Sequence, residues 1–347
     1  MSASVTAVRL PARLEAKSSA ALGVIAILLA TASWSSGGVL ATKADLPGAV
    51  LAFWRLLIVA CAFGLIALVT RRRITPFMLK RSLIGGLLFG LNLAVWFEAL
   101  RHTTVGIATV TAALVPVMAM VVGNRVFGER ITPLAVGCAA GAIGGVVLFV
   151  VPGFAATGTT ALGLVLSFIA MGLWVLYLFA TKRAREGVGT IEYLFCMAAV
   201  AALSLVPFVV FFTDHGMSPP DHGWPWIIAL ALIPGSLGHG LLAWAQGHVP
   251  LSTAGILLQG EPIGAAIAGA IFLNETLGPI QGLGLLVAFL ALAILTRASS
   301  SEPPSPANLP SPSDPDRPTS ARPGNLSSVL QDPRPPTGGE GLAERRG

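Results

Sequence analysis

Ten apolar stretches, each of about 20 residues, follow one another along this chain. They lie at approximately 20–41, 48–70, 82–101, 104–126, 133–151, 161–181, 191–212, 225–244, 252–273 and 278–297. A hydrocarbon core about 30 Å thick takes about 20 residues of α-helix per crossing. Backbone crossing lipid must satisfy its own polar groups, so continuous apolar runs of this length fold as helices. The composition agrees: 54% hydrophobic, 11% charged, mean hydropathy +0.78. A soluble domain carries roughly a quarter charged residues. The chain reads as an all-α polytopic membrane protein with ten transmembrane helices.

Lys and Arg near the helix ends set the orientation. Counting from an N-terminus inside, the inner segments hold Arg9, Arg13, Lys17, Arg71, Arg72, Arg73, Lys80, Arg81, Arg125, Arg130, Lys182, Arg183, Arg185 and Arg297. The outer loops hold only Lys43 and Arg101. This asymmetry predicts a plasma (inner) membrane protein with both termini cytoplasmic. The formal charge of +6 follows sidedness and implies no nucleic-acid partner; the partners expected are the lipid bilayer and a small-molecule substrate. Nothing in the sequence sets an oligomeric state.

Residues 1–19 form a cytoplasmic N-terminal segment that resembles the start of a signal peptide. Further spans follow, so an uncleaved first helix is expected. Residues 298–347 are rich in Pro, Ser and Gly and poor in aromatic and β-branched residues, which predicts a disordered cytoplasmic tail. Cys61, Cys138 and Cys196 fall inside apolar runs without metal or disulfide spacing, so they read as small packing residues. Asp214, His215, Asp221 and His222 could make a metal site, but their Pro-rich setting favours a solvated loop. No cofactor and no metal are expected, only a proton or other ion gradient.

The chain also repeats itself. Shifted by 146 residues, "ALRHTTVGIATVTAALVPVMAMVVGNRVFGERITP" falls on "AQGHVPLSTAGILLQGEPIGAAIAGAIFLNETLGP" without a gap. The register pairs His102 with His248, Pro116 with Pro262, Gly123 with Gly269, Glu129 with Glu275 and Pro133 with Pro279. Each half, 20–151 and 161–297, holds five helices. Because five is odd, the halves enter the bilayer from opposite sides. Two inverted five-helix repeats suit alternating access around a midplane site. Gly141, Gly144 and Gly145 are expected to permit close helix packing.

These features resemble the EamA-type transporters of the drug/metabolite transporter superfamily. The resemblance rests on the two repeat segments, each with a short connection, a Pro-broken helix, a terminal Glu and a Gly-rich last helix. "SWSSGGVLATKA" and "LAFWRLL" resemble that family's opening helices. The resemblance covers roughly 20–297. It implies ten helices, a central cavity open alternately to each side, and transport of small metabolites, often export of amino acids or drugs.

Charged groups inside helices are costly and therefore candidates for function. Glu261 lies near the middle of the ninth run, directly before Pro262, which removes a backbone donor. The freed carbonyl and the carboxyl make one polar spot for substrate or proton; alternatively Glu261 caps the half-helix that Pro262 begins. Arg55 and Glu98 both read as lying in the outer half of the bilayer. An ion pair between them is expected, as a gate, a substrate clamp or a static brace. Pro116 marks the corresponding break in the first repeat. Trp34, Trp96, Tyr177, His239, Trp244, Asn92 and Gln259, together with Trp54 and Trp174, either line a cavity or serve packing and the interface. Glu129 and Glu275, at opposite faces, read as helix caps rather than substrate ligands.

A secondary transporter in which Glu261 can carry a proton is the leading functional class. An intramembrane enzyme would need a nucleophile and base or paired metal ligands within helices, and motifs such as His-Glu-x-x-His or Gly-x-Ser-x-Gly do not occur. A non-transporting receptor or scaffold would usually attach an ordered soluble domain.

Overall fold

The computed structural model describes residues 12–127, 131–156, 159–184, 188–212, 218–245, 248–249 and 251–301. Glu129, Asp214, His215 and residues 302–347 of the tail expected over 298–347 lie outside the described residues, and residues 298–301 are helical, the final helix running on to Ser301.

The first span is α1 (Ala12–Ser35) followed by α2 (Gly37–Ala44), and the second to third are α3 (Gly48–Val69) and α4 (Pro76–Ala99). The fourth is α5 (Val105–Ala112) with α6 (Val115–Phe127), the fifth α7 (Pro133–Ala156), the sixth α8 (Ala161–Ala184) and the seventh α9 (Thr190–Phe212). The eighth combines α10 (Trp224–Leu230), a π-helical segment Ala231–Gly238 and α11 (His239–Ala245). The ninth is α12 (Leu251–Leu258) with α13 (Glu261–Phe272), and the tenth α14 (Pro279–Ser301). Among the described residues nine segments are long and apolar enough to cross a membrane, and one shorter apolar helix spans Ile256–Phe272.

The third span begins at Pro76, six residues before its apolar run. Thr75 accepts a hydrogen bond from the Met78 amide at 3.4 Å, and proline at the first helical position suits a helix start. Hydropathy marks the length in lipid, not the point where the helix starts.

Helix contacts follow the repeat. α3 packs on α9, α5 on α13 and α7 on α14, so spans 2, 4 and 5 each meet their own counterparts, spans 7, 9 and 10. α4 packs on α8, and α1 packs on the π-segment and α11, which is the same contact with the repeats exchanged. That is what a two-fold axis in the membrane plane requires. The element ends obey the same register: α5 and α12 start at Val105 and Leu251 and stop at Ala112 and Leu258, and α6 and α13 start at Val115 and Glu261.

The α7–α14 seam is built on glycine. A Cβ on Gly145 would lie 2.5 Å from the Ala288 nitrogen and 2.6 Å from the Gly284 oxygen, and one on Gly284 2.6 Å from the Gly145 oxygen. Backbone meets backbone, which only glycine permits. Gly141 approaches the Ala291 Cβ at 3.2 Å, whereas a Cβ on Gly144 would meet nothing within 4 Å. Of the three glycines expected to pack, Gly144 does not. Gly145→Leu is therefore predicted to destabilise the protein by ~3 kcal/mol or more, while Gly144→Leu leaves it intact. Thermal unfolding of the detergent-solubilised variants checks this; similar losses for both would rule out the seam as described.

Candidate functional site

Four of the ten spans are interrupted. In the ninth, Gln259 N bonds Ile256 O at 3.2 Å and Gly260 N bonds Leu257 O at 3.1 Å, tight turns that end α12. In the fourth, Ala113 N bonds Val110 O and Leu114 N bonds Thr111 O, each at 3.1 Å. These are the same bonds shifted by 146. Pro262 and Pro116 each withdraw the next donor. The first repeat breaks its helix with Val115 where the second has Glu261, so the break does not need the glutamate.

The first span bends at Ser36. The Ser35 hydroxyl donates to Thr31 O at 2.9 Å and Thr31 to Ile27 O at 2.8 Å, side-chain bonds that bend helices. The Ser35 hydroxyl is also within bonding reach of the Glu261 carbonyl at 3.2 Å. In the eighth span the π-segment opens around Pro234. Ser33 donates to the Ile233 carbonyl at 3.2 Å and the Trp34 indole to the Pro234 carbonyl at 3.0 Å. The bend of the first span thus ties the breaks of the eighth and ninth together.

Glu261 opens α13 and is half-buried; a carboxylate there is favoured by the helix dipole. Arg55, 6% exposed, lies within electrostatic reach of both Glu261 and His239, and among the described residues it has no ion pair to Glu261 shorter than 4.0 Å. Its guanidinium carbon also stands 5.6 Å from the Phe97 ring centroid. His239 Nδ1 lies 3.0 Å from the Pro234 carbonyl oxygen. A carbonyl only accepts, so this nitrogen carries the proton and Nε2 keeps its lone pair. Aromatic rings continue from His239: Trp34 at 5.0 Å, Phe89 at 6.3 Å, then Tyr177 at 4.8 Å from Phe89.

A small cavity starts at Arg55, His239 and Gly235 and extends along Val59 and Phe63 of α3 to Leu194 and Met197 of α9. It runs toward the face that bears Arg71–Arg73, and its free space of about 10 Å³ matches a single water. Beyond it, Arg72 bonds Glu192 at 3.1 Å. At the other face a wider cavity of about 350 Å³ is lined by Thr42, Thr104, Thr160, Arg101, His102 and Glu275. Glu275 accepts from the Val105 and Gly106 amides at 2.7 and 3.1 Å, capping α5 from the other repeat. Burial lifts its carboxyl above the usual range, against the pull of those two amides.

The expected Arg55–Glu98 pair is not formed. Glu98 accepts from the Gly48 amide at 2.8 Å and lies 3.5 Å from Arg101 and 3.4 Å from His102. Gly48 is the first residue of α3 and Arg55 lies seven residues on, about 10 Å deeper at 1.5 Å per residue. Glu98 satisfies the near helix end, while Arg55 lies deeper, within electrostatic reach of Glu261. Asn92 donates to Ala170 O at 2.7 Å, bracing α4 on α8. Trp96 packs at 5.3 Å on Phe97, and Trp244, 48% exposed, stacks on His248 at 4.2 Å. Gln259 forms the link between α12 and α13 and is half-buried, whereas Pro262 is buried. Of the residues singled out by sequence, the structure therefore gathers Arg55, Glu261, His239, Trp34 and Tyr177. Sequence reasoning missed Ser35, Phe89 and Gly235; the Pro-Gly pair inside "ALIPGSLGHG" was the available signal for the last.

The sequence profile of the EamA-like transporter family matches residues 21–151 and again 161–297. The chain belongs to the EamA-like transporter family. Its EamA-like halves align with curated relatives only in part. The threonine/homoserine exporter RhtA of Escherichia coli K12 is 32% identical over 128 residues, 35% of this chain and 41% of that protein. An uncharacterized transporter of Archaeoglobus fulgidus is 24% identical over 61% of this chain and 77% of its own length. A crystal structure 21% identical to this chain superposes with a TM-score of 0.56, covering 80% of this chain and 98% of the other. It shows the EamA-like chain sharing a fold with a solved protein.

If Arg55 answers Glu261, the Ala substitutions at Arg55 and Glu261 are coupled by about 1 kcal/mol or more, while those at Arg55 and Glu98 add. Thermal stability of the two double-mutant cycles decides it; additivity at Arg55 and Glu261 would refute the pairing.

Proposed function

We propose that this chain is a secondary transporter of the plasma membrane that exports small metabolites carrying both an amine and a carboxylate. The observation that carries this reading is the placement of two opposite charges, Arg55 and Glu261, within electrostatic reach of each other where interrupted helices of an inverted repeat meet. Net charge at a bilayer midplane is costly. A zwitterion inserted between Arg55 and Glu261 meets a complement for each of its charges and leaves the site neutral. A lone organic cation would leave Arg55 uncompensated, so the pair favours amino-acid-like substrates over cationic drugs. The similarity to a threonine/homoserine exporter supports the same class.

Access alternates. The present arrangement is narrowed by Phe63, Leu194 and the Arg72–Glu192 pair at one face and wide at the other, as one end state of such a cycle would be. Protonation of Glu261 cancels its attraction for Arg55, which is how a proton gradient would reset the site. Arg55, Glu261 and His239 offer charge and hydrogen bonds but no activated nucleophile, so transport fits this site better than catalysis.

Two predictions follow from this reading. In a background without native cysteines, Ser218→Cys and Thr276→Cys react with an impermeant thiol reagent on intact cells, and Arg73→Cys reacts only after permeabilisation. The reverse labelling would invert the orientation.

Glu261→Gln retains amino-acid exchange in inside-out vesicles but loses its response to an imposed pH gradient, because the amide mimics the protonated acid. Glu261→Ala also weakens substrate binding. A Glu261→Gln protein that follows the gradient as the parent does would remove Glu261 from the coupling role.

A further inference from the structure

Gly235 occupies a position that nothing in the repeat requires. It follows Pro234 in the π-helical segment of the eighth span, and it lines the central cavity beside Arg55, Val59 and His239. A Cβ built on it would lie 2.8 Å from Val59 Cγ2, 3.2 Å from Leu230 O and 3.5 Å from Arg55 Nε. Val59 and Arg55 therefore pack on bare backbone at Gly235, and a side chain there would press both into the cavity; the gap they leave is set by that close approach. Gly240, two residues beyond the π-segment, is different: a Cβ there would meet nothing within 4 Å.

A π-turn inserts one residue into a helical turn and is stable only where its opened carbonyls find partners. Here they do. Ser33 takes the Ile233 carbonyl, Trp34 and His239 take the Pro234 carbonyl, and Ser236 donates to Ala231 O at 3.0 Å. Four hydrogen bonds hold the segment, so the backbone at Gly235 is fixed against the cavity and cannot slide aside to admit bulk.

We propose that Gly235 is the size-determining residue of the central site, the π-turn holding its bare backbone beside Arg55 so that this gap limits what passes. The inference rests on the reading that the cavity lies on the transport route. It also specifies a sequence change that alters selectivity by size without touching either charge.

The test reads passage without a known substrate. Met197, on the cavity wall, is replaced by cysteine in a chain whose native cysteines are serine or alanine. Its reaction with methyl and benzyl methanethiosulfonate is timed in proteoliposomes. Gly235→Ala slows the benzyl reagent about tenfold and the methyl reagent less than about twofold, as expected of a local steric clash. Adding Val59→Ala, which removes the nearest contact, restores the benzyl rate, and Gly240→Ala changes neither rate. If Gly235→Ala does not fold, Val59→Ala alone carries the test, because widening the same gap speeds the benzyl reagent selectively. Equal slowing of both reagents, or no recovery with Val59→Ala, overturns the proposal. A parental cysteine that reacts with neither reagent instead removes the cavity from any route, and the transport reading of this site falls with it.

Discussion

In hydrocarbon an unpaired backbone amide or carbonyl costs several kcal/mol, and the whole structure is arranged around where that cost is met. Six spans meet it with continuous helices. Spans 1, 4, 8 and 9 break the ladder and need help from elsewhere. Ser33 and Trp34 serve the carbonyls of Ile233 and Pro234, and the Ser35 hydroxyl, bonded to Thr31 O, stands 3.2 Å from Glu261 O. A bend in one span thus supplies donors to the break in the eighth and reaches the break in the ninth. None of the three could hold its irregular shape in lipid alone. The site and the bundle are one structure, because the polar backbone of the site is what locks the first span to the second repeat.

Charge is laid on that scaffold sparingly. Arg55 would be intolerable at 6% exposure without a compensating partner, since a buried charge stripped of its partner costs about 3–5 kcal/mol. Glu261 and the Phe97 ring supply that compensation. The other carboxylates near the spans do simpler work. Glu98 and Glu275 accept from the backbone amides that open α3 and α5, closing helix ends that would otherwise be bare. Depth separates the roles: carboxylates at span ends cap, and the carboxylate at a midplane break pairs.

Much of this was legible in the sequence because it follows from one-dimensional rules. Apolar run length gave the spans, the 146-residue shift gave the inverted repeat, and Pro116 and Pro262 gave the two matched breaks. The Glu275 cap was legible for the same reason, since a helix end must be capped. What sequence could not resolve is which of several polar residues at similar depth share a side of a helix. Arg55 and Glu98 looked like partners on depth alone; a helical rise of seven residues separates Arg55 from the end that Glu98 caps. Asn92 and Trp244 looked like cavity groups because polarity in a span attracts attention, but Asn92 serves the Ala170 carbonyl and Trp244 an outer surface. Gly235 escaped because glycine is silent in a hydropathy reading, and only the packing shows how closely Val59 and Arg55 approach its backbone.

The repeat poses a last physical question. Two identical halves related by an in-plane two-fold axis would make the two end states equivalent by rotation and of equal energy. A ligand that bound both equally would shift nothing, however tightly it bound. The sequence departs from identity at the breaks themselves, placing Val115 in the first and Glu261 in the second. The faces differ too: an Arg72–Glu192 pair below aromatic and aliphatic side chains on one, a Glu275 carboxylate on backbone amides at the other. In the proposed transport cycle, pseudo-symmetry would supply two conformations with similar packing. The one-sided charges of Arg55 and Glu261 would make them unequal toward a ligand or a proton, which is the inequality a gradient needs if it is to drive exchange in one direction.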